Sequence, residues 1–403
     1  MRVGFVLSQP FGHSIGTDVR VRGLLEGLSH LGVEIHVITP FAESISVNKG
    51  NISVHKISSS STGLKISNLT YTLSKKFMTN PFLFKKIICK KSLLLRNACS
   101  LGKGIYEVAS KLDLDVLQAE QQIASIACIR IGEKLSVPVV ADFHGIWVEE
   151  MVASNVISYN DACYRTLFDL EQEIACSADA VAVVSEEMKD YVESSFGASS
   201  NKVVLVPNAA FPRVDGAKIV ERPSKVIHSG TLHPWENVEL FVEAMPFALK
   251  RYPSAEFCLT RKGAKLNKIM KLAHSLSVSP KFIWFDSGSD FFEFLKSCDV
   301  GVISSTPHIA RKMAYPAKLY DYLSVGLPIV ANDVGAWTKI IRENKVGIVT
   351  DNTPEAFAEG ILELLENPKL LYECGQRGIE LVRKELNYYK STERLLDLYC
   401  RIV

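Results

Sequence analysis

Short apolar runs, often rich in β-branched residues, alternate with longer amphipathic segments along the whole chain. Strands of parallel sheets are buried on both faces and read as continuous apolar runs, and helices connect them. The pattern therefore predicts repeated strand–helix units. The first series of strands is expected at residues 3–7, 34–38, 116–119, 139–141, 180–184 and 203–206. The second series is expected at residues 225–228, 256–259, 282–285, 300–303, 328–331 and 347–349.

The segment at residues 207–216, PNAAFPRVDG, separates the two series. It is rich in turn-forming residues and lacks periodicity, which is typical of a linker. We therefore expect two α/β domains with Rossmann-like, doubly wound sheets, at residues 1–210 and 211–386. A final helix at about residues 387–403 is expected to pack back on the first domain. Because open parallel sheets bind ligands beyond the carboxyl ends of their strands, we expect the domains to face each other across a ligand-binding cleft.

The composition fits this interpretation. The 403 residues are 47% hydrophobic and 22% charged, which excludes a disordered, collagen-like or coiled-coil protein. No uncharged apolar run approaches the roughly 18 residues of a spanning helix, and the start of the chain lacks the features of a signal peptide, so we expect a cytoplasmic protein. Single cysteines without metal-ligand spacing favour buried, reduced thiols. They are the cysteines at positions 89, 99, 128, 163, 176, 258, 298, 374 and 400.

The net charge of +2 hides a basic stretch. Between Glu43 and Glu107 there are eleven bases and no acid, whereas the rest of the chain has 35 bases and 44 acids. A helical projection of residues 82–100 predicts an apolar face flanked by bases, which suits an anionic membrane surface. A helix packed on its own domain is the alternative, and few interleaved aromatic residues disfavour nucleic acid. The membrane-surface residues would be Lys75, Lys76, Lys85, Lys86, Lys90, Lys91 and Arg96.

Two segments of the first domain carry candidate ligand contacts. Gly12 and Gly16 follow the first strand and let the chain approach a ligand at a helix N-terminus, where free N–H groups favour anions or polar oxygens. His144 directly follows a predicted strand and precedes Gly145, so we expect it at the carboxyl end of the sheet. There it would contact a ligand or transition state, and a purely structural hydrogen bond is the alternative.

In the second domain, Pro316 is expected to open a helix that Gly326 ends. The free N–H groups of this helix, with Arg311, Lys312 and Lys318 nearby, form an anion site suited to a pyrophosphate. The carboxylate of Asp321, about one turn further on, is expected to accept hydrogen bonds from ribose hydroxyls.

This segment resembles the donor-binding region of retaining glycosyltransferases of the GT-B fold, in particular glycosyltransferase family 4. Members of that family commonly read P-x-K-x-x-E-Y-x-x-x-G-x-P-V-V, and Pro316, Lys318, Tyr322, Gly326 and Pro328 match. Further matching pieces, in family order, are Gly16, residues 32–37, His144-Gly145, and residues 184–186, 206–208, 229–232, 334–335 and 346–347.

The resemblance implies a GT-B enzyme that transfers a sugar with retention from a nucleotide-diphosphate sugar to an acceptor, without metal or other cofactor. The acceptor would be a lipid-linked phosphate or a growing polysaccharide, so the enzyme would lie at the inner face of the cell membrane. His144 would shape the donor-sugar pocket as the catalytic-site residue. The donor-binding residues would be Gly230, Thr231, Arg261, Lys262, Arg311, Lys312, Pro316, Ala317, Lys318, Leu319 and Asp321.

The chain departs from the family pattern at several positions. The family often has two glutamates eight positions apart, where this chain has Met313 and Asp321. Thr231 and Glu236 stand where the family has Arg and Lys. Two alternatives therefore stay open: a non-catalytic binding protein that kept the GT-B fold, and a nucleotide-sugar epimerase. The sequence predicts no oligomeric state.

Overall fold

The computed structural model of the protein describes residues 1–9, 15–41, 50–57, 85, 88–283 and 288–403. It divides the chain into two compact units, Met1–Pro207 with Tyr388–Val403, and Asn208–Asn387. We refer to them as the first and the second unit. Each unit is built on an entirely parallel sheet, as the pattern of apolar runs predicts.

The first unit has a seven-stranded sheet in the order β3-β2-β1-β4-β5-β6-β7. Its strands are β1 (Arg2–Leu7), β2 (Glu34–Thr39), β3 (Ile52–Lys56), β4 (Val116–Glu120), β5 (Val139–Phe143), β6 (Ala180–Val183) and β7 (Val203–Leu205). Its described helices are α1 (Ile15–His30), α2 (Lys91–Ala109), α3 (Gln121–Leu135), α4 (Trp147–Ala153), α5 (Ala162–Ser177), α6 (Glu186–Ser194) and, at the end of the chain, α15 (Tyr388–Ile402).

The second unit has a six-stranded sheet in the order β10-β9-β8-β11-β12-β13. Its strands are β8 (Lys225–His228), β9 (Glu256–Thr260), β10 (Lys281–Ile283), β11 (Val300–Ile303), β12 (Ile329–Asn332) and β13 (Gly347–Thr350). Its described helices are α7 (Val238–Arg251), α8 (Leu266–Ser275), α9 (Gly288–Ser297), α10 (Ile309–Met313), α11 (Ala317–Ser324), α12 (Thr338–Glu343), α13 (Pro354–Leu365) and α14 (Pro368–Lys384).

The strand orders place one topological switch point in each unit. In the first sheet β1 lies between β2 and β4, and in the second β8 lies between β9 and β11. Connections leave such a strand pair toward opposite sides, which opens a crevice at the carboxyl ends of the strands where α/β folds bind ligands. The fold therefore makes the residues that follow β1, β4, β8 and β11 the first candidates for a functional site, and β5 lies next to β4 in the first sheet.

The last helix packs on the first helix through two glycines. A Cβ atom on Gly23 would clash with the ring of Tyr388, and one on Gly27 would clash with Thr392. Close approach of the two helices therefore depends on residues without side chains. Further along α15, the Tyr399 hydroxyl donates a hydrogen bond to Oε1 of Gln118 in β4, over 3.1 Å.

The predicted fold class is confirmed, and the predicted strands match the observed strands closely. β3 is the exception that the apolar pattern missed. It is an edge strand whose side chains alternate in exposure and include Ser53, His55 and Lys56, so it has no continuous apolar run. The predicted strand at residues 282–285 is described only as far as Ile283.

The expectation of reduced thiols is wrong for two of the nine cysteines. Cys89 and Cys163, which are 74 residues apart in sequence, form a disulfide. Single cysteines that are distant in sequence give no spacing signal, so only the fold could bring this pair together. Within the described part of the chain, no helix combines the length and the apolar character needed to cross a membrane.

Candidate functional sites

A buried group of four charged side chains lies at the carboxyl ends of β4 and β5, and we call it the N-terminal ion network. Arg20 of α1 donates hydrogen bonds from Nε and Nη2 to the two carboxylate oxygens of Asp142, at 3.0 and 2.8 Å. Nε2 of His144 lies 2.7 Å from Oε2 of Glu120 and 3.3 Å from Oδ2 of Asp142. The predicted contact residue His144 is therefore held by two carboxylates that are themselves at most 3% exposed.

The charges of this network set the protonation of the ring. Burial alone would lower the pKa of His144, but Asp142 and Glu120 outweigh it and raise that pKa to about 9. Burial also opposes the ionisation of Asp142, yet Arg20 and His144 hold the pKa of Asp142 at about 2. At neutral pH the ring is therefore an imidazolium with two N–H donors. Its Nδ1 atom is buried and has no hydrogen-bond partner among the residues that the structure describes.

Three residues of this network carry side chains that commonly bind metal ions. Glu120, Asp142 and His144 place ligand-type atoms within 4.8 Å of one another. However, Arg20 already bonds to both oxygens of Asp142, and two acids face two bases. A divalent cation would have to displace one of these bases from a buried network, which leaves charge uncompensated. We therefore assign the group as an ion network, and the expected absence of a metal requirement stays a prediction.

The turn after β5 is fixed by its own contacts. Glu171 of α5 accepts hydrogen bonds from the backbone amides of Trp147 and Val148, at 2.7 and 2.9 Å, and so caps α4. Gln122 donates to the same carboxylate over 2.7 Å. The carboxylate of Glu150 in α4 lies where a Cβ atom on Gly145 would sit, so a larger residue at this position would have to displace that side chain. The position of His144 is thus built into the turn.

In the second unit, the predicted anion-binding helix is α11. It begins at Ala317, directly after Pro316, and Gly326 follows its end with a φ of +69°, as the sequence predicts. Leu319 was expected among the donor-binding residues. Its side chain is fully buried in the hydrophobic core, and its amide donates to the carbonyl of Pro316 over 3.0 Å. Neither group of Leu319 is therefore available to a ligand in this conformation.

Lys318, the second residue of α11, belongs to a buried group at the end of β8, which we call the C-terminal ion network. Its Nζ atom donates to Oε2 of Glu236 over 2.7 Å, and Nε2 of His228 lies 3.5 Å from both of these atoms. Gly230 adopts a φ of +98°, which favours glycine. A Cβ atom there would lie only 3.5 Å from Cε of Lys318. The structure thus brings together the predicted residues Gly230 and Lys318.

The ionisable groups of the C-terminal ion network differ in their protonation. Burial opposes ionisation of Glu236, but Lys318 and His228 hold its pKa well below the usual range. Burial and then Lys318 lower the pKa of His228, so that this ring is neutral. Burial is also the main cause of the low pKa of His233, and together with the charges of Arg311, Lys318 and Lys262 it brings that pKa to about 4, although Glu236 opposes the shift. The charges of these three predicted donor-binding residues therefore all influence the loop that contains His233.

The other predicted donor-binding residues vary in exposure. Asp321 is 4% exposed, and burial raises its pKa to about 7, although Arg213 and Lys318 oppose that shift. Thr231 is half-buried beside Gly230, whereas Arg261 and Lys312 are exposed. Arg311 donates from Nη2 to the carbonyl of Ala314 over 3.1 Å, so it is held at the end of α10.

Several polar side chains of the second unit are buried and, within the described ranges of this unit, have no hydrogen-bond partner. Such groups carry a desolvation cost that a bound ligand can offset, so they mark a candidate binding site. These atoms lie at the end of β8 or in the segments after β8 and β11, at the switch point of the sheet: Nδ1 of His228, Oγ of Ser229, Nδ1 of His233 and Oγ of Ser304. Of the four residues, only Ser229 falls in a segment that matches the family pattern, although a position at or shortly after a predicted strand was a usable signal for all of them.

The predicted membrane-surface residues are only partly described. Lys75, Lys76 and Lys86 lie outside the described residues. Of the two glycines predicted as acceptor-side contacts, Gly12 also lies outside them, and Gly16 is in the first turn of α1. Lys85 pairs with Asp161 over 2.8 Å, and Lys91 pairs with Glu173 over 3.4 Å. Lys90 and Arg96 are exposed.

The apolar face of the basic helix turns inward. Leu94, Ala98 and Ile105 of α2 are buried, at most 1% exposed, and the helix packs on α3. The described part of this helix therefore follows the alternative interpretation, a surface helix packed on its own domain.

Comparison with known proteins assigns both units. Residues 15–210 match the family described as Glycosyltransferase Family 4, and residues 215–381 match the family described as Glycosyl transferases group 1. A GDP-mannose-dependent alpha-(1-6)-phosphatidylinositol monomannoside mannosyltransferase of Mycobacterium tuberculosis is 23% identical over 243 residues, which cover 56% of this chain and 63% of that protein. The chain spans less than two thirds of the length of most curated relatives that it matches.

Solved structures agree on the fold. Sucrose-phosphate synthase from Thermosynechococcus elongatus superposes with a TM-score of 0.75 at 16% identity, covering 100% of this chain and 99% of that chain. Anabaena HepE, in a complex with UDP-glucose, superposes with a TM-score of 0.69 at 13% identity, with full coverage of both chains. The two family matches and this shared fold show that the chain belongs to the GT-B glycosyltransferases, with a family 4 domain followed by a group 1 domain.

Proposed function

We propose that the protein transfers a sugar, with retention, from a nucleotide-diphosphate sugar bound by the second unit to an acceptor bound by the first unit. The observation that carries this proposal is the position of Lys318. Lys318 is in the first turn of α11, and its ammonium group, which is paired with Glu236, lies beside Gly230, so a positively charged side chain and the positive end of a helix act together. Both would stabilise the negative charge that develops on a leaving pyrophosphate, without a bound metal.

Two comparisons support the donor class. The mycobacterial relative is described as GDP-mannose-dependent, and HepE was solved with UDP-glucose. Both donors carry a diphosphate between a nucleoside and a sugar, which is the part that a cationic helix N-terminus binds. Asp321 would accept hydrogen bonds from the ribose, as acidic residues do in other nucleotide-binding folds. His144 would donate a hydrogen bond to a sugar oxygen.

For the acceptor, we propose a lipid-linked or glycan molecule, with the protein bound peripherally at the inner face of the cell membrane. The mycobacterial relative is named for a phosphatidylinositol acceptor. In this chain, Lys90, Arg96 and Lys103 are exposed on or beside α2, in the stretch that lacks acids. Because the apolar face of α2 packs inward, the attraction to the membrane would be electrostatic, roughly 1 kcal/mol per base near anionic headgroups.

A vesicle experiment tests the membrane proposal. The double variant Lys90→Ala, Arg96→Ala should weaken binding to vesicles of anionic lipid by about 30-fold, because two bases of roughly 1 kcal/mol each are lost. Sedimentation with the vesicles measures this binding. Lys271→Ala with Lys369→Ala removes two exposed bases of the second unit and serves as the control. Equal binding of wild type and double variant would contradict the proposal.

A turnover assay tests the function. The purified protein is incubated with UDP- and GDP-sugars and a membrane extract, and release of nucleoside diphosphate and of labelled glycolipid or glycan is followed. Acceptor-dependent transfer supports the proposal. A changed sugar on an intact nucleotide would instead show an epimerase, and binding without any turnover would show a non-catalytic GT-B protein.

A further inference from the structure

A chain of buried hydrogen bonds connects the last helix of the protein to His144. The hydroxyl of Tyr399 donates to Oε1 of Gln118 over 3.1 Å, and Nε2 of Gln118 donates to Oε1 of Glu120 over 3.2 Å. The other oxygen of Glu120, Oε2, lies 2.7 Å from Nε2 of His144. Gln118 and Glu120 are two residues apart in β4, so their side chains lie on the same face of the sheet. Both oxygens of Glu120 are thereby engaged.

The two carboxylates beside His144 have different duties. Glu120 and Asp142 are direct neighbours in the β4–β5 register, an arrangement of like charges that is normally destabilising. Asp142 is committed to Arg20, which bonds to both of its oxygens. Glu120 makes the shorter contact to the ring, 2.7 Å against 3.3 Å. Glu120 is therefore the carboxylate that orients the imidazole ring.

The ring orientation leaves one donor for a ligand. Because Nε2 of His144 faces the carboxylates, Nδ1 lies on the opposite side of the five-membered ring. It is buried, and no residue in the described part of the chain accepts a hydrogen bond from it. A buried, charged N–H without an acceptor is costly, and an acceptor oxygen from a substrate removes that cost.

We propose that Glu120 is a positioning residue, which takes the Nε2–H of His144 and so presents the Nδ1–H as a charged hydrogen-bond donor to an oxygen of the sugar substrate. Gln118 and Tyr399 hold Glu120 in place for this task. The inference rests on the proposed sugar transfer for its final step, whereas the hydrogen-bond geometry is independent of that proposal.

The surroundings of the ring determine how it titrates. Arg20 on α1, Glu120 on β4 and Asp142 on β5 are the charged groups of the network. Tyr388 and Tyr399 on α15 contribute further electrostatic interactions within it, and α4 places a carboxylate against the turn after β5. The net effect raises the pKa of His144 to about 9. The ring therefore stabilises the fold below its ordinary pKa of about 6.5, and this stabilisation is lost as the pH rises through about 9.

NMR titration of histidine-labelled protein tests the inference without any substrate. The signal of His144 is assigned by its loss in His144→Gln, and its midpoint is followed from pH 5 to pH 10. The wild-type midpoint is expected near 9. Glu120→Gln keeps the size of the side chain but removes the charge, and should lower the midpoint by more than about one pH unit. Tyr399→Phe should lower it by a smaller amount, because Glu120 is then held less firmly.

The control is Tyr164→Phe, which removes a phenol that bonds to Glu149 in the same unit and should leave the midpoint unchanged. A wild-type midpoint near 6.5, or an unchanged midpoint in Glu120→Gln, overturns the inference. If Glu120→Gln does not fold, Tyr399→Phe decides, and an unchanged midpoint there also overturns it. Nucleotide-sugar turnover is measured separately, so a confirmed titration with no turnover contradicts the proposed function alone.

Discussion

The two ion networks of the molecule contain the same kinds of groups but protonate their histidines in opposite directions. Both lie at the carboxyl ends of parallel strands, and both join a carboxylate to a cation and an imidazole. The N-terminal network raises the pKa of its ring, His144, to about 9, whereas the C-terminal network lowers the pKa of its ring, His228. Burial lowers both values, so burial does not explain the difference.

The number of carboxylates available to each histidine explains why the two pKa values shift in opposite directions. His144 has two carboxylates within 3.3 Å, and one of them serves chiefly the ring. Among the described residues, His228 has one carboxylate partner, Glu236, which is already paired with Lys318, and Lys318 repels a second positive charge. The first network therefore presents a charged imidazole. The C-terminal network contains a charged ammonium group and neutral imidazole rings. Several polar atoms around it have no hydrogen-bond partner among the described residues.

The largest expected effect comes from opening the N-terminal network. Arg20→Met should lower the free energy of unfolding by about 3 to 5 kcal/mol, because it leaves two buried carboxylates, Asp142 and Glu120, with only the charge of His144 to balance them. Urea unfolding measures this change. Arg165→Met serves as the control, since its side chain is 80% exposed and pairs only with Asp169 on the surface. A loss of less than about 1 kcal/mol in Arg20→Met would show that the network does not depend on its arginine.

In the C-terminal network, removing a charge is expected to strengthen ligand binding, and the change in free energy is smaller than the loss of stability in Arg20→Met. Glu236→Gln should tighten the binding of a nucleoside diphosphate on the order of tenfold, because the carboxylate that competes with phosphate for Lys318 is gone. Isothermal titration calorimetry measures it. Glu239→Gln, which removes a partly exposed carboxylate paired with Lys265, is the matched control. Weaker binding in Glu236→Gln would mean that Glu236 serves mainly to hold Lys318 in position.

The pH dependence of donor binding should reveal Asp321. Its pKa of about 7 predicts that affinity for a nucleotide sugar falls as the pH drops from 8 to 6, by about tenfold for one required deprotonation. Asp321→Asn should abolish this dependence. The sign for stability is opposite, because the buried neutral carboxyl favours the fold below its ordinary pKa and this benefit is lost as the pH rises through about 7. A wild-type affinity that is flat between pH 6 and 8 would remove Asp321 from the ribose site.

Much of the fold could be predicted because buried parallel strands are recorded locally as apolar runs. The helix from Ala317 to Ser324 was likewise readable, since Pro316 and Gly326 mark its ends. The polar edge strand β3 was missed because its side chains alternate in exposure. The disulfide was missed because its partners are far apart in sequence.

The residues of the candidate sites also differ in whether the local sequence indicates them. His144 and Lys318 could be singled out because each follows a strand end or opens a helix. Their partners could not. Arg20 and Asp142 are 122 residues apart, and Lys318 and Glu236 are 82 residues apart, so only the sheet order brings each pair together. The sequence marked Glu236 as a departure from the family pattern, and the structure gives it a partner.

Calorimetric titration with UDP, GDP and their common sugar conjugates, without added metal, tests the central claim most directly. The wild-type protein should bind one nucleotide series, and Lys318→Ala should bind it on the order of ten- to hundredfold more weakly, because a charge-assisted contact of about 1.5 to 3 kcal/mol is lost. Lys369→Ala, which removes an exposed base of the same unit, should bind like wild type. Absence of binding by the folded wild-type protein, or equal affinity in Lys318→Ala, would contradict the account.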